Sequence, residues 1–598
     1  MRKRVADVIV ETIVKHGITD CFSVVGGGAM HLNNAFEISN DINVFYCHHE
    51  QACTFAAEGY AKYNNKMAAV CVTSGPGGVN ALNGVYGAYV DSIPMIVISG
   101  HPRYDTTVDA CGLNLRCRGI QEYDIISSVK PMTKYACMVT NPLTVKSEIE
   151  KAINIANSGR KGPVWISVPL NIQSAMVEDD DLYYFKPNEI VKMNFDYTNL
   201  YDILKNSKRP CILAGHGIRE AGAISEFYKL IEKLDIPVVG GAITVDLLPE
   251  GYKNYYGMSG NIGPRTGNYI LQRSDTILIL GDSLATRQTG FNLEGFAPDS
   301  TKIMIDIDKD EMIKPDLHID YKINMDLIDF MNGFISYIDK PIHASNEWIS
   351  YCDGIYKFFE DFDTPEIPKN KTIPAKLFWK ILREKTGDET VLALGNSSCC
   401  IGIYQYGIKK MGQRAMTNIN AGSMGDDLPE AVGAAVASGK DTVCVTGDGS
   451  VMMNLQELQT IKFNDLPIKV VIFSNKGYGA IRQTCSNYFD GTYTGCDPDS
   501  GISFPSFKKV AEAFEFKYIY CDNVDELESS IDRFMSESGQ VIFEIEQDFN
   551  DTVIPKIVSR LRPDGTFEKP DYTQLSPFLS DQQQEEIDEI EKIIKGDN

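Results

Sequence analysis

The feature that most limits what this chain can fold into is a rhythm played three times. Short apolar runs of strand length, each closed by Gly, Pro or a polar turn, alternate with stretches of helical periodicity. In the first third the runs are "DCFSVV", "NVFYCHH", "MAAVCVTS", "PMIVISG" and "PVWISVPL", with helical stretches such as "EQACTFAAEGYAKY" between them. "RPCILAG", "IPVVGG", "TILILG" and "KIMIDID" repeat the pattern in the middle; "TVLALG", "DTVCVTGDG", "IKVVIFSN" and "QVIFEIEQD" repeat it towards the end. Strands that are apolar throughout and separated by helices belong to parallel sheets covered on both faces. The expectation is an α/β chain of three doubly wound parallel-sheet domains, 1–172, 195–338 and 372–550, with a C-terminal tail, 551–598. "QSAMVEDDDLYYFKPNE" reads as the first linker, and a second polar link ends in "DTPEIPKNKTIPAK". In the tail, Ile587, Ile590 and Ile594 sit at helical spacing, which predicts a terminal helix docked on its own protein.

At 598 residues there is chain enough for three or four cores. A net charge of −24 argues against nucleic acid and against an anionic membrane surface as partners. The 15 cysteines show no C-x-x-C spacing, the usage of a reducing compartment rather than of a disulfide framework. "MRKRVADVIVETIVKHG" reads as an amphipathic helix, not a signal peptide. No apolar run approaches the ~20 residues of a membrane span. The default location is the cytoplasm.

The chemistry concentrates at two strand ends. In "VCVTGDGSVMMN", Gly447-Asp448-Gly449 turns tightly after a strand, and a helix is predicted to begin near Ser450. Glycines let backbone N–H groups approach an anion, and a helix N-terminus favours negative charge. Asp448 would repel that anion unless a hard divalent cation lay between them. One helix and one strand later Asn475 ends the run "IKVVIF", followed by Gly477 and Tyr478. Parallel strands bring both ends to one edge of the sheet, where ligands collect. Asp448, Asn475 and a backbone carbonyl near Gly477 could then share one cation. A bare G-D-G is more often a capped turn; the combination is much more specific.

With that combination the sequence resembles the thiamine diphosphate enzymes, and most closely their acetolactate synthase branch. The family motif ends in Asn, often Asn-Asn; here Ser474 replaces the first. "YCHHEQACTFAAEGYAK" resembles the segment carrying the cofactor-activating glutamate, which falls on Glu50. "VCVTSGPGGVNALNGVYGAYVDSIPMIVISG" is similar to the Ser-Gly-Pro-Gly segment, and "AGSMGDDLPEAVGAA" to the Gly-x-Met-Gly segment, with Gly422 and Met424. The resemblance implies thiamine diphosphate held through Mg²⁺ by Gly447, Asp448, Gly449, Ser450, Asn475, Gly477 and Tyr478, with Met424 as the wedge that bends the cofactor. Gly395-Asn396-Ser397 stands where the family contacts the diphosphate, in place of the synthases' Gly-Gln-His. A carboxylate at Glu50 would favour the imino tautomer of the aminopyrimidine, whose nitrogen deprotonates the thiazolium carbon; that needs a dry pocket. "CRGIQEYDIISSVKPMTKY" resembles the segment whose Gln orders the active site, here Gln121 after Ile120, and Lys134 falls on a substrate-side lysine. Taken alone, Glu50 is a helix-start glutamate, Met424 a core methionine and Lys134 a surface lysine.

"LAGHGIRE", "YGMSGNIG", "GDSLATRQTGFNLEGFAP" and "IMIDIDKDEMIKP" are similar to the synthases' flavin-binding middle domain. That places Gly215, Gly217, Met258, Gly260, Arg287 and Asp308 at a structural FAD, with Met-Ser-Gly for the usual Met-His-Gly; the alternative is a domain that keeps the fold without the ligand. The departure lies in "SNKGYGAIRQTC": Ala480 stands where the synthases have Met and Thr484 where they have Trp. Both changes widen and polarise the acceptor side. "RLRPDGTFEKP" in the tail looks more like relatives that use keto-sugar nucleotides. The implied activity is decarboxylation of a 2-oxo acid, pyruvate foremost, with transfer of the two-carbon unit to a carbonyl acceptor as bulky as a keto-sugar nucleotide. Acetolactate synthase itself, a flavin-linked 2-oxo acid oxidase, a plain decarboxylase and a non-catalytic assembly or regulatory subunit stay open. Family sites join the first domain of one subunit to the third of another, which implies a homodimer or homotetramer.

Overall fold

The computed structural model describes residues 2–187, 194–241, 243–360, 366–561, 564–568 and 570–595. After β1 (Arg2–Arg4), the first sheet holds β2 (Asp20–Ser23), β3 (Asn43–Tyr46), β4 (Ala69–Val72), β5 (Ile96–His101), β6 (Tyr135–Met138) and β7 (Val164–Pro169), in the order β3-β2-β4-β5-β7-β6. β8 (Met176–Glu178) then pairs antiparallel with β1, inside the stretch predicted to be a linker. The second sheet is built from β9 (Pro210–Ala214), β10 (Val238–Gly240), β11 (Tyr255–Met258), β12 (Thr276–Leu280), β13 (Thr301–Asp306) and β14 (Tyr321–Asn324), in the order β11-β10-β9-β12-β13-β14. The third holds β15 (Val391–Leu394), β16 (Arg414–Met416), β17 (Thr442–Gly447), β18 (Ile468–Ser474), β19 (Lys517–Cys521) and β20 (Val541–Glu546), in the order β16-β15-β17-β18-β20-β19.

All pairings within these three sheets are parallel. The first and third sheets share one strand order. The second has the order that dinucleotide-binding domains use, with its switch point between β9 and β12. In the third sheet the order reverses between β15 and β17, so that edge carries the ends of β15, β17 and β18 side by side. Leu394 pairs with Val445, and Gly447 with Phe473.

The second polar link contains an unforeseen helix, Asn346–Glu360. Trp348, Tyr351, Cys352, Ile355 and Phe359 form its buried stripe. The terminal helix Asp581–Lys595 docks on that stripe through fully buried Ile587, with Ile590 and Ile594 packed around it. Arg273 Nε donates to the buried Glu591 carboxylate at 2.8 Å.

The first and third domains meet along two helices, Glu50–Asn64 and Asp427–Ser438. A Cβ on Gly59 would strike the Glu430 carbonyl, and one on Gly433 that of Ala56, so glycine permits the close crossing. At this seam Lys62 Nζ is 2.6 Å from Glu58, 3.0 Å from Glu430 and 3.4 Å from Asp91, and donates to Thr417 O at 2.8 Å. Burial raises the pKa of Glu58 and Glu430, and of neighbouring Asp426 strongly. Lys62 is therefore the cation on which these carboxylates depend. Lys62→Met is expected to cost roughly 3–5 kcal/mol, as removal of one partner of a buried pair does; thermal unfolding would show it as a lower midpoint, and an unchanged midpoint would contradict it. Arg414 adds a clamp across all three domains. It donates to Asp246 in the second domain (2.6 Å) and to the Lys62 and Tyr63 carbonyls in the first (2.7 and 2.6 Å).

Candidate active site

The end of β17 delivers Asp448, the first residue of a four-residue helix, Asp448–Val451, which starts at Asp448 itself rather than near Ser450. Asp448 is 2% exposed, and Oδ2 accepts from Asn475 N at 3.0 Å and Gly477 N at 3.3 Å. Burial pushes its carboxyl up to about 7, against the pull of those N–H groups. A carboxylate so costly to ionise calls for a cation nearby.

Asn475, at the end of β18, is oriented by a relay. Its Nδ2 donates to Gln547 Oε1 at 3.2 Å, and Gln547 Nε2 donates to Ser398 Oγ and Asp551 Oδ2, both at 2.9 Å. Asn475 Oδ1 is left buried with no hydrogen-bond partner. An orphaned acceptor beside a dry carboxylate suits an oxygen-seeking cation. Gly477 is glycine because a Cβ there would run into the Cys496 carbonyl. Among the described residues no trio of His, Cys, Asp or Glu converges. The oxygens gathered here are one carboxylate, from Asp448, and one unpartnered amide oxygen, from Asn475.

Around it the strand-end loops form a cradle. Ser397 takes φ +60° beyond β15, and Asn396 Nδ2 donates to Ser423 O at 2.6 Å, tying that turn to the Gly422–Met424 loop. Gly422 has φ +62°. Gly449 leaves the space that Tyr478 occupies, and Met424 Cε lies 3.5 Å from where its Cβ would be. Ser450 Oγ is committed within the protein, donating to Asp427 Oδ2 (2.7 Å) and accepting from Gly425 N (2.8 Å). Asp427 also accepts from Thr446 Oγ1 at 2.7 Å, and a Cβ on Gly395 would strike it. Asp427, Gln547 and Arg482 are the supports that sequence reasoning missed. The first two carry no local signal, since their partners are distant in sequence.

Glu50 opens the helix Glu50–Asn64, which His49 caps by accepting from Gln51 N at 3.1 Å. The side chain is buried. Oε2 accepts from Asn80 Nδ2 at 3.0 Å, and Oε1 lies 3.2 Å from where a Gly77 Cβ would be. Among the described residues no hydrogen bond joins Glu50 to the cradle of its own chain. Gln121 takes φ +56° and lays its carbonyl against Gly75. Ile120 beside it is 88% exposed. Lys134 departs from expectation: its Nζ donates to the Ile155 and Ser158 carbonyls at the end of the helix Val145–Asn157. Burial lowers its pKa to about 8, and its partners are helix-end carbonyls rather than a site residue. Ala480 and Thr484 lie four apart on the helix Gly479–Tyr488 and are both exposed; Thr484 Oγ1 donates back to Ala480 O at 3.1 Å.

A cavity of about 330 Å³ opens at the switch point of the middle sheet, lined in part by Gly217, His216, Arg160, Arg287, Asp282 and Asp306. Gly217 N donates to Gly281 O at 2.9 Å, and a Cβ on Gly215 would strike the Gly281 backbone. Burial raises Asp282 and Asp306 each to about 6. Asp308 pairs with Arg160 at 3.3 Å. Of the six residues expected at the flavin, Gly217 and Arg287 line this cavity, while Gly215, Met258, Gly260 and Asp308 do not. Met258 is 1% exposed in the core, and Gly260 N donates to Asn268 Oδ1 at 2.8 Å.

Comparison with known proteins covers most of the chain. Residues 3–124 match the N-terminal TPP binding domain of thiamine pyrophosphate enzymes, 197–333 the central domain and 395–545 the C-terminal TPP binding domain. The chain is 28% identical over 566 residues to the acetolactate synthase large subunit of Buchnera aphidicola, covering 92% of this chain and 96% of that one. It is 27% identical over 551 residues to the acetolactate synthase isozyme 2 large subunit of Escherichia coli, with the same coverage. It is 28% identical over 564 residues to the Lactococcus lactis acetolactate synthase large subunit, covering 94% and 95%.

Proposed function

Because the chain belongs to the thiamine pyrophosphate enzymes, we propose that it decarboxylates a 2-oxo acid, pyruvate foremost, and transfers the resulting two-carbon unit to a carbonyl acceptor. The observation that carries this reading is the buried, unpartnered Oδ1 of Asn475 beside the dry carboxylate of Asp448. Those two groups and the Gly477 carbonyl would hold Mg²⁺, and through it the diphosphate of thiamine diphosphate. Gly395, Asn396, Ser397, Gly422, Gly447, Gly449, Ser450 and Tyr478 would complete the cradle, with Met424 against the cofactor's bend. When bound, thiamine diphosphate supplies the electron sink for loss of carbon dioxide. The protein's part is to hold the cofactor, exclude water and handle its proton. Glu50 is the acid–base residue, kept in place by Asn80 and by the helix it opens. Gln121 would order the substrate side.

The resemblance to enzymes whose sites join the first domain of one subunit to the third of another bears on assembly. That supports a site shared between two copies, a homodimer or homotetramer. Tyr86, Tyr89, Met452 and Met453, large and exposed, support a partner surface on the first and third domains. The middle cavity, which Gly217 and Arg287 line, supports a structurally held FAD. No helix among the described residues is long and apolar enough to cross a membrane, and 15 free thiols support a reducing compartment such as the cytoplasm.

On the acceptor side, Ala480 and Thr484 present a small and a polar side chain on one exposed helix face. That favours a bulky polar acceptor, of the keto-sugar nucleotide kind, over a second pyruvate. The test is carbon dioxide trapping from [1-¹³C]pyruvate with Mg²⁺ and thiamine diphosphate, alone and with aldehydes, 2-oxo acids and keto-sugar nucleotides. Release stimulated by a keto-sugar nucleotide supports the reading. Stimulation by pyruvate alone would make it an acetolactate synthase, and pyruvate-dependent bleaching of a bound flavin an oxidase.

A further inference from the structure

The helix Gly479–Tyr488 has two faces. Ala480 and Thr484 look outward; Arg482, between them in sequence, is turned inward and 4% exposed. Its guanidinium donates to backbone carbonyls of three separate segments: Asn475 at the end of β18 (3.1 Å), Cys496 in the loop beyond the helix (3.3 Å) and Phe549 after β20 (3.2 Å). The Phe549 ring lies 4.0 Å from it. Among the described residues no carboxylate stands within ion-pair distance of Arg482. A buried charge without an acidic partner is expensive. Here it is offset by carbonyl dipoles at the sheet's C-terminal edge, by an aromatic face and by the charges of Asp448 and Asp497, which act on it from beyond ion-pair distance. Here the guanidinium reaches the three carbonyls from two nitrogens, Nη1 and Nη2, of one planar fork, whereas a lysine ammonium gathers its donors on one atom.

These partners belong to the loop that carries the cation ligands. Asn475 N and Gly477 N reach Asp448 on one side. On the other, Cys496 O accepts from both Arg482 and Tyr478 N, the latter at 2.9 Å. Cys496 is itself fixed by Ser500 Oγ, which accepts from Cys496 N at 2.9 Å and Asp497 N at 3.0 Å. A Cβ on Gly477 would lie 2.6 Å from Arg482 Nη1. The segment Asn475–Tyr478 is thus held between a carboxylate and a guanidinium.

We infer that Arg482 is a positioning residue for this loop: it fixes the Asn475 and Gly477 oxygens for the divalent cation, and it ties the loop to the helix that carries Ala480 and Thr484. The inference rests on the cation reading of Asp448 and Asn475. Arg482 acts through the backbone and touches neither cation nor substrate. The same residue therefore serves cofactor affinity on its inner side and the acceptor wall on its outer side.

The experiment is calorimetric titration of Mg²⁺ into intact wild-type protein, Arg482→Ala and Arg482→Lys, each with saturating thiamine diphosphate and a circular-dichroism check of folding. Arg482→Ala is expected to weaken Mg²⁺ binding by roughly 10–100-fold, as loss of a ligand-orienting group does. Arg482→Lys, which restores one charge-assisted donor, should recover part of that loss; it also serves if the alanine variant does not fold. Both variants binding Mg²⁺ as the wild type does, even with a lowered unfolding midpoint, would reduce Arg482 to a structural role and overturn the inference. A wild type that binds no Mg²⁺ would overturn the cation reading, and the inference with it.

Discussion

Glu50→Gln is expected to cut carbon dioxide release from pyruvate by roughly 100- to 10,000-fold, the range over which a positioned acid–base group acts, with thiamine diphosphate and Mg²⁺ still bound. Glutamine keeps the shape of the side chain and an oxygen for Asn80 Nδ2. It keeps the helix start that His49 caps. What it loses is the capacity to take a proton at that oxygen. The variant therefore separates chemistry from folding and from cofactor capture. Steady-state carbon dioxide release, with cofactor binding measured in parallel, reads both. Undiminished release would remove Glu50 from the mechanism.

The second large effect is expected at the cation ligands. Asp448→Asn removes the carboxylate among the candidate ligands, and Asn475→Ala removes the orphaned oxygen. Each should lower Mg²⁺-dependent thiamine diphosphate binding by more than the roughly 10–100-fold typical of losing an outer partner. Gln547→Leu supplies that milder comparison. It leaves Asn475 in place but deletes the acceptor of its Nδ2 and the relay to Ser398 and Asp551. The predicted order of damage in equilibrium titration is Asn475→Ala and Asp448→Asn ahead of Gln547→Leu. Equal, small losses in all three would mean that the cradle does not hold a cation through these oxygens.

How far the sequence carried depended on whether a feature was local. β4, β5, β7, β17 and β18 are mostly apolar and buried along nearly their whole length because both faces are covered, and they stood out as runs. β6, β14 and β16 lie at sheet edges, half-buried or exposed, and lacked that signal. The helix Asn346–Glu360 was passed over as polar although Trp348, Tyr351, Cys352, Ile355 and Phe359 recur at helical spacing; its charged face masked the stripe. Asp448 and Asn475 were legible because a strand end followed by glycine is a local pattern, and parallel topology brings two such ends together. Asp427 and Gln547 were not, since each matters through partners on other elements. At Lys134 the sequence match and the local contacts point different ways. A matched position suggested a substrate contact, while the side chain is spent on helix-end carbonyls of its own domain.

The central claim is that this chain forms a carbon–carbon bond from a decarboxylated 2-oxo acid. The most direct measurement is ¹³C NMR of the products from [2,3-¹³C₂]pyruvate with Mg²⁺, thiamine diphosphate and a keto-sugar nucleotide ¹³C-labelled at its carbonyl carbon. The predicted result is a labelled two-carbon unit joined by a new carbon–carbon coupling to the acceptor's former carbonyl carbon, absent in Glu50→Gln. Label found only in acetaldehyde, acetate or unchanged pyruvate, across the acceptor panel, would contradict it.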